Sequence, residues 1–357
     1  MNGSIYIEDA GKLCAWYETN KRALPWRDTG DPYHVWISEI MLQQTRIEAV
    51  KPKYEQFIRE LPDIASLSEC DDDLLMRLWE GLGYYSRARS LKKCAKVLAN
   101  EYDSKLPEDY DALKKLPGIG PYTAGAIASI AFHIPVPAVD GNVLRILARI
   151  NADHNDIRNT ENKNRLAAML EDVYCSNIDA GSFNQGLMEL GQTLCLPNGT
   201  PLCGQCPWQN ICRAHRQNLT DEIPYRSPLK PRKEVKRTIL VIRDGSSFLL
   251  HRRPEKGLLA GLYEFCGYDG WLSQKEALKA AEDLGLQPLR IRKLADSVHI
   301  FTHLKWHMHA YEIAVAGIDT LIDESYVLAD KKELAHLAVP SAFKTYTDWY
   351  ALRDQAS

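Results

Sequence analysis

No apolar run in the chain approaches the ~18–20 residues that a membrane-spanning helix requires, so the sequence offers no candidate for one. The first residues, MNGSIYIEDAGKLCAWYE, lack a basic stretch followed by an apolar one, and no secretory leader is expected there. Net charge is also small: 44 Lys and Arg against 47 Asp and Glu leave −3 at pH 7. Wholesale disorder needs low hydrophobicity and high net charge, and is excluded. Nucleic-acid binding is neither supported nor excluded, because a basic face can be local. There are no internal repeats and no low-complexity segments. What remains is a globular composition, 45% hydrophobic and 25% charged over 357 residues. At ~100–200 residues per domain this suggests two or three domains. The expected location is the cytoplasm, or the nucleus or an organelle in a eukaryote.

Residues 1–223 read as helical. Ile37, Ile40, Met41, Ile47, Val50, Tyr54, Phe57, Ile58 and Leu61 step by three and four, the spacing of one helix face. Pro52 suggests that one helix ends near Val50 and another begins there. Similar patterns occupy 74–80, 86–100, 122–132, 141–150, 162–174 and 183–194. Residues 224–237, PYRSPLKPRKEVKR, are Pro-rich and basic and read as an extended linker. Beyond it, TILVI and SFLLH flank an Asp-Gly turn, a helical stretch covers 273–285, and strand-like runs lie near 298–302 and 306–315. Residues 238–357 are therefore expected as an α+β domain.

Nine cysteines divide into two groups. Cys14, Cys70, Cys94, Cys175 and Cys266 are scattered, mostly in apolar sequence, and read as small buried hydrophobes. Cys195, Cys203, Cys206 and Cys212 crowd into 18 residues with x7, x2 and x5 spacers. In a reducing compartment such a cluster means metal more often than disulfides. Four thiolates can hold a tetrahedral zinc or a [4Fe–4S] cluster. A zinc ribbon would usually show two CxxC pairs, and the single pair here favours iron–sulfur.

Two further patterns carry chemistry. Pro117-Gly118-Ile119-Gly120 reads as a hairpin between helices, where Gly118 and Gly120 permit positive φ and close approach. Successive N–H groups there can seat a DNA phosphate without reading sequence. An ordinary helix–helix turn is the simpler alternative. Glu39, in VWISEIMLQQT, lies among apolar residues at the expected start of a helix. Asp140, in PVPAVDGNVLR, lies just ahead of another. Burial raises a carboxyl pKa and makes an acid available near neutral pH, whereas a carboxylate at a helix N-terminus stays ionised. That division of labour suits glycosidic bond cleavage. Taken singly, Asp140 also fits a helix cap and Glu39 a salt-bridge partner.

LPWR (24–27), WISEIMLQQTRIEAV (36–50), GLGYYSRAR (81–89), LPGIGPYTAGAIAS (116–129), AVDGNVLR (138–145), FNQGLMELG (183–191) and the cysteine cluster together resemble the MutY family of adenine DNA glycosylases, in the helix-hairpin-helix glycosylase superfamily. GLLAGLYEF (257–265) and HIFTH (299–303) resemble that family's C-terminal Nudix-like domain. The resemblance implies an all-α helix-hairpin-helix half with an iron–sulfur cluster loop, followed by an α+β Nudix-like domain. It implies removal of adenine mispaired with 8-oxoguanine or guanine in duplex DNA, with the base flipped into a pocket. Glu39 matches the acid that protonates adenine N7, and Asp140 the carboxylate that stabilises the sugar cation. Tyr122 and Asn142 match residues that position them. Arg22, Trp26, Arg27, Leu42 and Gln185 match the adenine pocket, and Gln44 and Tyr84 the residues that wedge into the base stack. Phe301, Thr302 and His303 match the reader of 8-oxoguanine. Tyr122 stands where bifunctional relatives carry a Schiff-base lysine, so a monofunctional glycosylase is expected. The implied partner is duplex DNA, bound by a monomer, with a [4Fe–4S] cofactor on the four clustered cysteines and no membrane.

Several departures from the family pattern stand out. The first cysteine spacer is seven residues instead of six, Gly186 replaces the usual Ala, and Thr302 replaces the usual Ser. The Nudix catalytic box is degraded. Its Arg-Glu pair would fall on Leu278 and Lys279, leaving Glu282 and Asp283, too few carboxylates for a metal-dependent pyrophosphatase. The C-terminal domain is thus expected to bind without hydrolysing. Three competing readings are an endonuclease III-type lyase, which needs the hairpin lysine; a DNA-binding redox sensor, which leaves Glu39 unexplained; and a nucleotide hydrolase, which the degraded box opposes.

Overall fold

Caps and chain breakers cut the helical part into short pieces. The computed structural model describes residues 7–27, 29–175, 178–229, 231–318, 323–334 and 336–353. They fall into two units, one of residues up to Cys70 with Ser86–Pro228, the other of Asp71–Tyr85 with residues from Leu229 onward. In chain order the helices before the sheet are α1 (Ile7–Asn20), α2 (Pro32–Leu42), α3 (Ile47–Glu60), α4 (Ile64–Glu69), α5 (Asp72–Leu78), α6 (Ser86–Glu101), α7 (Tyr110–Lys115), α8 (Pro121–Ala131), α9 (Gly141–Asn151), α10 (Thr160–Ala168), α11 (Glu171–Tyr174), α12 (Ala180–Thr193) and α13 (Arg213–Arg216). Of these, α5 belongs to the second unit.

Three local expectations are corrected. The break expected near Val50–Pro52 falls at 43–46, where Gln44 is left-handed (φ 58°); α3 then runs through Pro52. A positive φ on a non-glycine residue ends a helix more decisively than one proline near its start, which removes a single backbone bond. Glu39 lies in the last turns of α2 and not at its start, because the start is fixed upstream by the Asp31 cap and Pro32. Cys175, expected among buried hydrophobes, is exposed at the end of α11.

Close backbone approach sets the geometry around α8 and α9. A Cβ at Gly125 on α8 would lie 2.1 Å from the Pro137 carbonyl oxygen, so glycine alone lets α8 rest on the segment leading into α9. Buried Asn184 of α12 pins that segment, accepting from the Ala138 N–H (3.1 Å) and donating to the Val136 carbonyl (2.9 Å) and Ser129 Oγ (2.8 Å). Leu13, Val143, Leu147, Phe183, Leu187 and Trp208 form part of the core around it.

The second unit contains a mixed sheet of β1 (Lys233–Asp244), β2 (Ser247–Arg252), β3 (Tyr263–Asp269), β4 (Pro288–Lys293), β5 (Ser297–Ile300), β6 (Leu304–Val315) and β7 (Tyr326–Ala329). Helices α14 (Gln274–Asp283), α15 (Lys331–Leu334) and α16 (Lys344–Arg353) accompany it. The order is β4-β6-β1-β3-β2-β7, with β5 on β6; β1 and β6 are parallel and the other pairs antiparallel. Residues 237–242 of β1 are all buried, the mark of a central strand covered on both faces. Ile239 and Val241 pack with Phe265, Trp306 and Phe343, while Leu240 and Ile242 pack with Ala277 and Ala281 of α14.

The extended linker expected over 224–237 is shorter. Residues 233–237 are the start of β1, paired with 304–308 of β6. Their charged side chains gave no strand signal, because a paired neighbour decides strand formation as much as intrinsic preference does. The other end is docked too, with the Tyr225 carbonyl accepting from the Ile157 N–H (3.2 Å).

Gly125→Ala should lower stability by about 3 kcal/mol, since backbone must move to admit the methyl group. Gly141→Ala, with no atom within 4 Å of its added Cβ, should stay within about 0.5 kcal/mol of the parent. Urea unfolding of both variants measures this, and equal midpoints would contradict the close approach.

Candidate active site

The first unit encloses an open cavity of about 1100 Å³ between the 22–27 loop, the end of α2, the starts of α8 and α9, and the later turns of α12. Arg22, Trp26, Arg27, Glu39, Leu42 and Gln44 line one side, and Gly120, Tyr122, Asp140, Asn142 and Gln185 the other. Eleven residues singled out from separate stretches of sequence thus meet in one place.

Glu39 is 7% exposed. Its Oε2 accepts a 2.7 Å hydrogen bond from the Tyr122 hydroxyl. Burial pushes its pKa up to about 7, the Tyr122 bond and Arg27 hold it down, and the Asp140 charge raises it further. An acid with such a value is half protonated at neutral pH. Tyr122, buried beside two carboxyls, stays neutral, its pKa raised well above the usual tyrosine value by burial and those charges.

Asp140 is the N-cap of α9. Its Oδ1 accepts from the Asn142 and Val143 N–H groups (both 2.8 Å), and its Oδ2 from Asn142 Nδ2 (2.7 Å). The cap reading holds, and the capped carboxylate also lines the cavity. Burial raises its pKa, and the three N–H bonds oppose that rise without cancelling it. Those three donors nonetheless favour the anion at Asp140, whereas Glu39 has one hydroxyl donor and correspondingly favours the acid.

Two arginines of the wall share a partner that sequence reasoning missed. Glu189 of α12 is fully buried and accepts from Arg22 Nε (2.5 Å) and Arg27 Nη2 (2.6 Å). A glutamate between apolar Met188 and Leu190 carries the same sequence signal as Glu39. Tyr17, also unassigned, donates its hydroxyl to Gln185 Oε1 (2.9 Å).

Arg145 and Arg149 of α9 reach the cysteine segment. Arg145 donates to Asn142 Oδ1 (3.0 Å), the Gly191 carbonyl (2.6 Å) and the Cys195 carbonyl (2.9 Å). Arg149 donates to Cys195 Sγ (3.2 Å) and the Leu196 carbonyl (2.9 Å). Cys203, Cys206 and Cys212 have raised pKa values, chiefly from burial and in part from the charges of neighbouring cysteines. Cys195, Cys206 and Cys212 pack against the same core cluster as Val143, Leu147 and Trp208. Among the described residues, however, no three His, Cys, Asp or Glu converge on a point where one metal ion could sit.

Gly118, Tyr84 and residues 301–303 do not line that cavity. Gly118, in the hairpin between α7 and α8, has φ 76°, and a Cβ there would meet Ser90 Cβ at 2.7 Å. Gly120 departs from the expectation of positive φ; it caps α8 with φ −87° and open space around it. In the second unit, Tyr84 is left-handed (φ 48°), as Gln44 is in the first, and its hydroxyl lies 2.6 Å from Thr302 Oγ1. Left-handed non-glycine residues cost roughly 1–2 kcal/mol each and gather at binding sites. The 301–303 turn joins β5 to β6. Phe301 meets Trp306 edge to face (ring centroids 4.9 Å apart), its carbonyl accepts from Arg232 Nε (3.0 Å), and the His303 carbonyl accepts from the Lys233 N–H (3.2 Å).

Residues 37–171 match the family model of HhH-GPD superfamily base excision DNA repair proteins, and residues 238–349 that of the NUDIX domain. The chain is 34% identical to an adenine DNA glycosylase of Mus musculus, over 85% of this chain and 70% of that one. It is 32% identical to an adenine DNA glycosylase of Schizosaccharomyces pombe, over 92% of this chain and 86% of that one. A solved structure described as a thermostable thymine-DNA glycosylase aligns with 58% of this chain and 95% of its own, at 26% identity and a TM-score of 0.51. With this extent of likeness across both domain matches, the chain belongs to the adenine DNA glycosylase family, enzymes of base excision repair.

Proposed function

We propose that the chain hydrolyses the N-glycosidic bond of adenine mispaired with 8-oxoguanine or guanine in duplex DNA, acting as a monomer and leaving an abasic site. The observation that carries this reading is the buried Glu39 carboxyl, bonded to Tyr122 and facing a cavity shared with the capped Asp140. Adenine flipped into the cavity presents N7 to Glu39, which gives up its proton and makes the base a leaving group. The deoxyribose becomes cationic, and Asp140, held by the α9 N–H groups and Asn142, stabilises that charge. Arg22, Trp26, Arg27, Leu42 and Gln185 form the adenine pocket. Tyr122 offers no amine for a Schiff base, so the strand stays intact. Gln44 and Tyr84 wedge into the stack, and the hairpin of Gly118 and Gly120 seats a phosphate.

Cys195, Cys203, Cys206 and Cys212 would hold a [4Fe–4S] cluster. In its support, the four cysteines crowd into 18 residues with a single CxxC pair, and Arg149 Nη1 donates to Cys195 Sγ (3.2 Å). When bound, the cluster supplies a cross-link of residues 195–212. The C-terminal domain, residues 238–357, reads the opposite base. Thr302 Oγ1 accepts the N7–H that 8-oxoguanine has and guanine lacks, with Phe301 and His303 framing it. The domain binds without hydrolysing nucleotides.

Glu39→Gln should reduce single-turnover adenine excision by at least about 100-fold while leaving DNA affinity largely intact, because the amide has no proton to give. In the parent, excision should fall as pH rises through about 7, where Glu39 loses its proton. Excision that persists unchanged to pH 9 would remove Glu39 from the acid role.

The protein as purified should be brown and carry about four iron atoms per chain. Metal analysis that returns stoichiometric zinc and no iron would replace the cluster with a zinc site.

Thr302→Val should cut the preference for 8-oxoguanine over guanine by about 5- to 150-fold, the worth of one buried hydrogen bond. Excision opposite guanine should hold nearly constant. A full parental ratio in this variant would move lesion reading to Gln44 and Tyr84.

A further inference from the structure

Glu189, fully buried beside the cavity-lining arginines Arg22 and Arg27, is a carboxylate that the reaction above leaves without a part. It sits on α12, fully buried, one turn from Gln185. Its Oε1 accepts from Arg22 Nε (2.5 Å), and its Oε2 from Arg22 Nη2 (3.1 Å) and Arg27 Nη2 (2.6 Å). Arg27 completes a closed unit. Its Nη1 donates to the Arg22 carbonyl (2.9 Å), and its guanidinium lies over the Tyr17 ring at 5.4 Å. Tyr17 in turn fixes the amide of Gln185.

We propose that Glu189 is a positioning residue for excision, clamping Arg22 and Arg27 into the cavity wall and cancelling the Arg27 charge that faces Glu39. This rests on Glu39 as the acid. The groups acting on Glu39 are Tyr122 from α8, Asp140 at the start of α9 and Arg27 from the loop after α1. Those facing Glu189 are Arg22 and Arg27. A carboxyl must be protonated to serve as an acid, and a nearby guanidinium favours its ionised form. An Arg27 left without its counter-charge would ionise Glu39 earlier and take the acid away at working pH. Glu189 prevents this from behind the wall, without touching substrate.

The test is the pH dependence of single-turnover adenine excision by the full-length protein. Glu189→Gln keeps an acceptor and removes the charge. Its alkaline limb should move down by about half a pH unit, a roughly threefold loss of rate at pH 8 beyond any uniform loss. Arg27→Gln should move the limb up, and the double variant should return it to within about 0.2 unit of the parent, because the two neutralisations offset each other. A limb that stays in place in Glu189→Gln while rate falls uniformly would make Glu189 merely structural and overturn the proposal. If Glu189→Gln does not fold, Arg27→Gln and the double variant decide, since removing both partners leaves no buried unpaired charge; a limb unmoved in Arg27→Gln overturns it. Glu39→Gln separates the two readings. If that variant retains excision with a parental alkaline limb, the acid assignment fails and this proposal falls with it. If it is inactive while Glu189→Gln leaves the limb in place, the clamp alone fails.

Discussion

A carboxyl group placed out of water, with a single hydroxyl for company, is the constraint on which the rest of the helical unit turns. Glu39 is costly to ionise where it stands, and that cost makes it an acid near neutral pH. Everything around it is arranged so that the cost is neither relieved nor exceeded. Tyr122 satisfies one oxygen without supplying charge. Asp140 sits near enough to raise the acid further, while its own oxygens are held by three N–H donors of α9. Arg27 pulls the other way, and Glu189 stands behind it. The helix-terminus N–H bonds on Asp140 favour its anion, whereas burial with a single phenol donor favours the acid form of Glu39.

Backbone contacts hold that arrangement at fixed spacing. Tyr122 rides on the first turn of α8 and Asp140 on the cap of α9, so the contact between α8 and the 136–138 segment sets their separation. Gly125 permits that contact, and Asn184 ties the same segment to α12. Since α12 also carries Gln185 and Glu189, three helices and one extended segment share responsibility for a site whose residues span 22 to 189. Arg145 continues the chain of bonds from Asn142 to the Cys195 carbonyl, so the start of the cysteine segment is tied to the site through main-chain acceptors.

The second unit solves a different problem, holding a short turn still on the end of a sheet. The 301–303 turn is bonded to the chain at Arg232 and Lys233 and backed by contacts running from Phe301 through Trp306 to Arg237 (4.9 and 4.5 Å). The parallel β1–β6 pair brings residues 232–237 beside that turn. The basic stretch that reads as a tether is therefore in part bonded to that turn.

Much of this was legible in the chain. Helical periodicity in the first 220 residues, the hairpin glycines, the four clustered cysteines and the two carboxyls in apolar surroundings each follow from local chemistry, because a turn, a cap or a helix face is decided within a few residues. The family resemblance joined them before any distance was known. The tertiary structure decided what local sequence does not encode. Gln44 and not Pro52 breaks the helix, where Arg87, more than 40 residues away in sequence, donates to the Ile40 and Met41 carbonyls. Residues 233–237 are strand because β6, 70 residues away, supplies the pairing. Glu189 belongs with Arg22 and Arg27, more than 160 residues distant in sequence, because burial makes a charge find its partner through space. Asp140 is pushed above an ordinary carboxyl value although it caps a helix. Its neighbours along the chain supply the hydrogen bonds, and only the folded surroundings supply the desolvation that outweighs them.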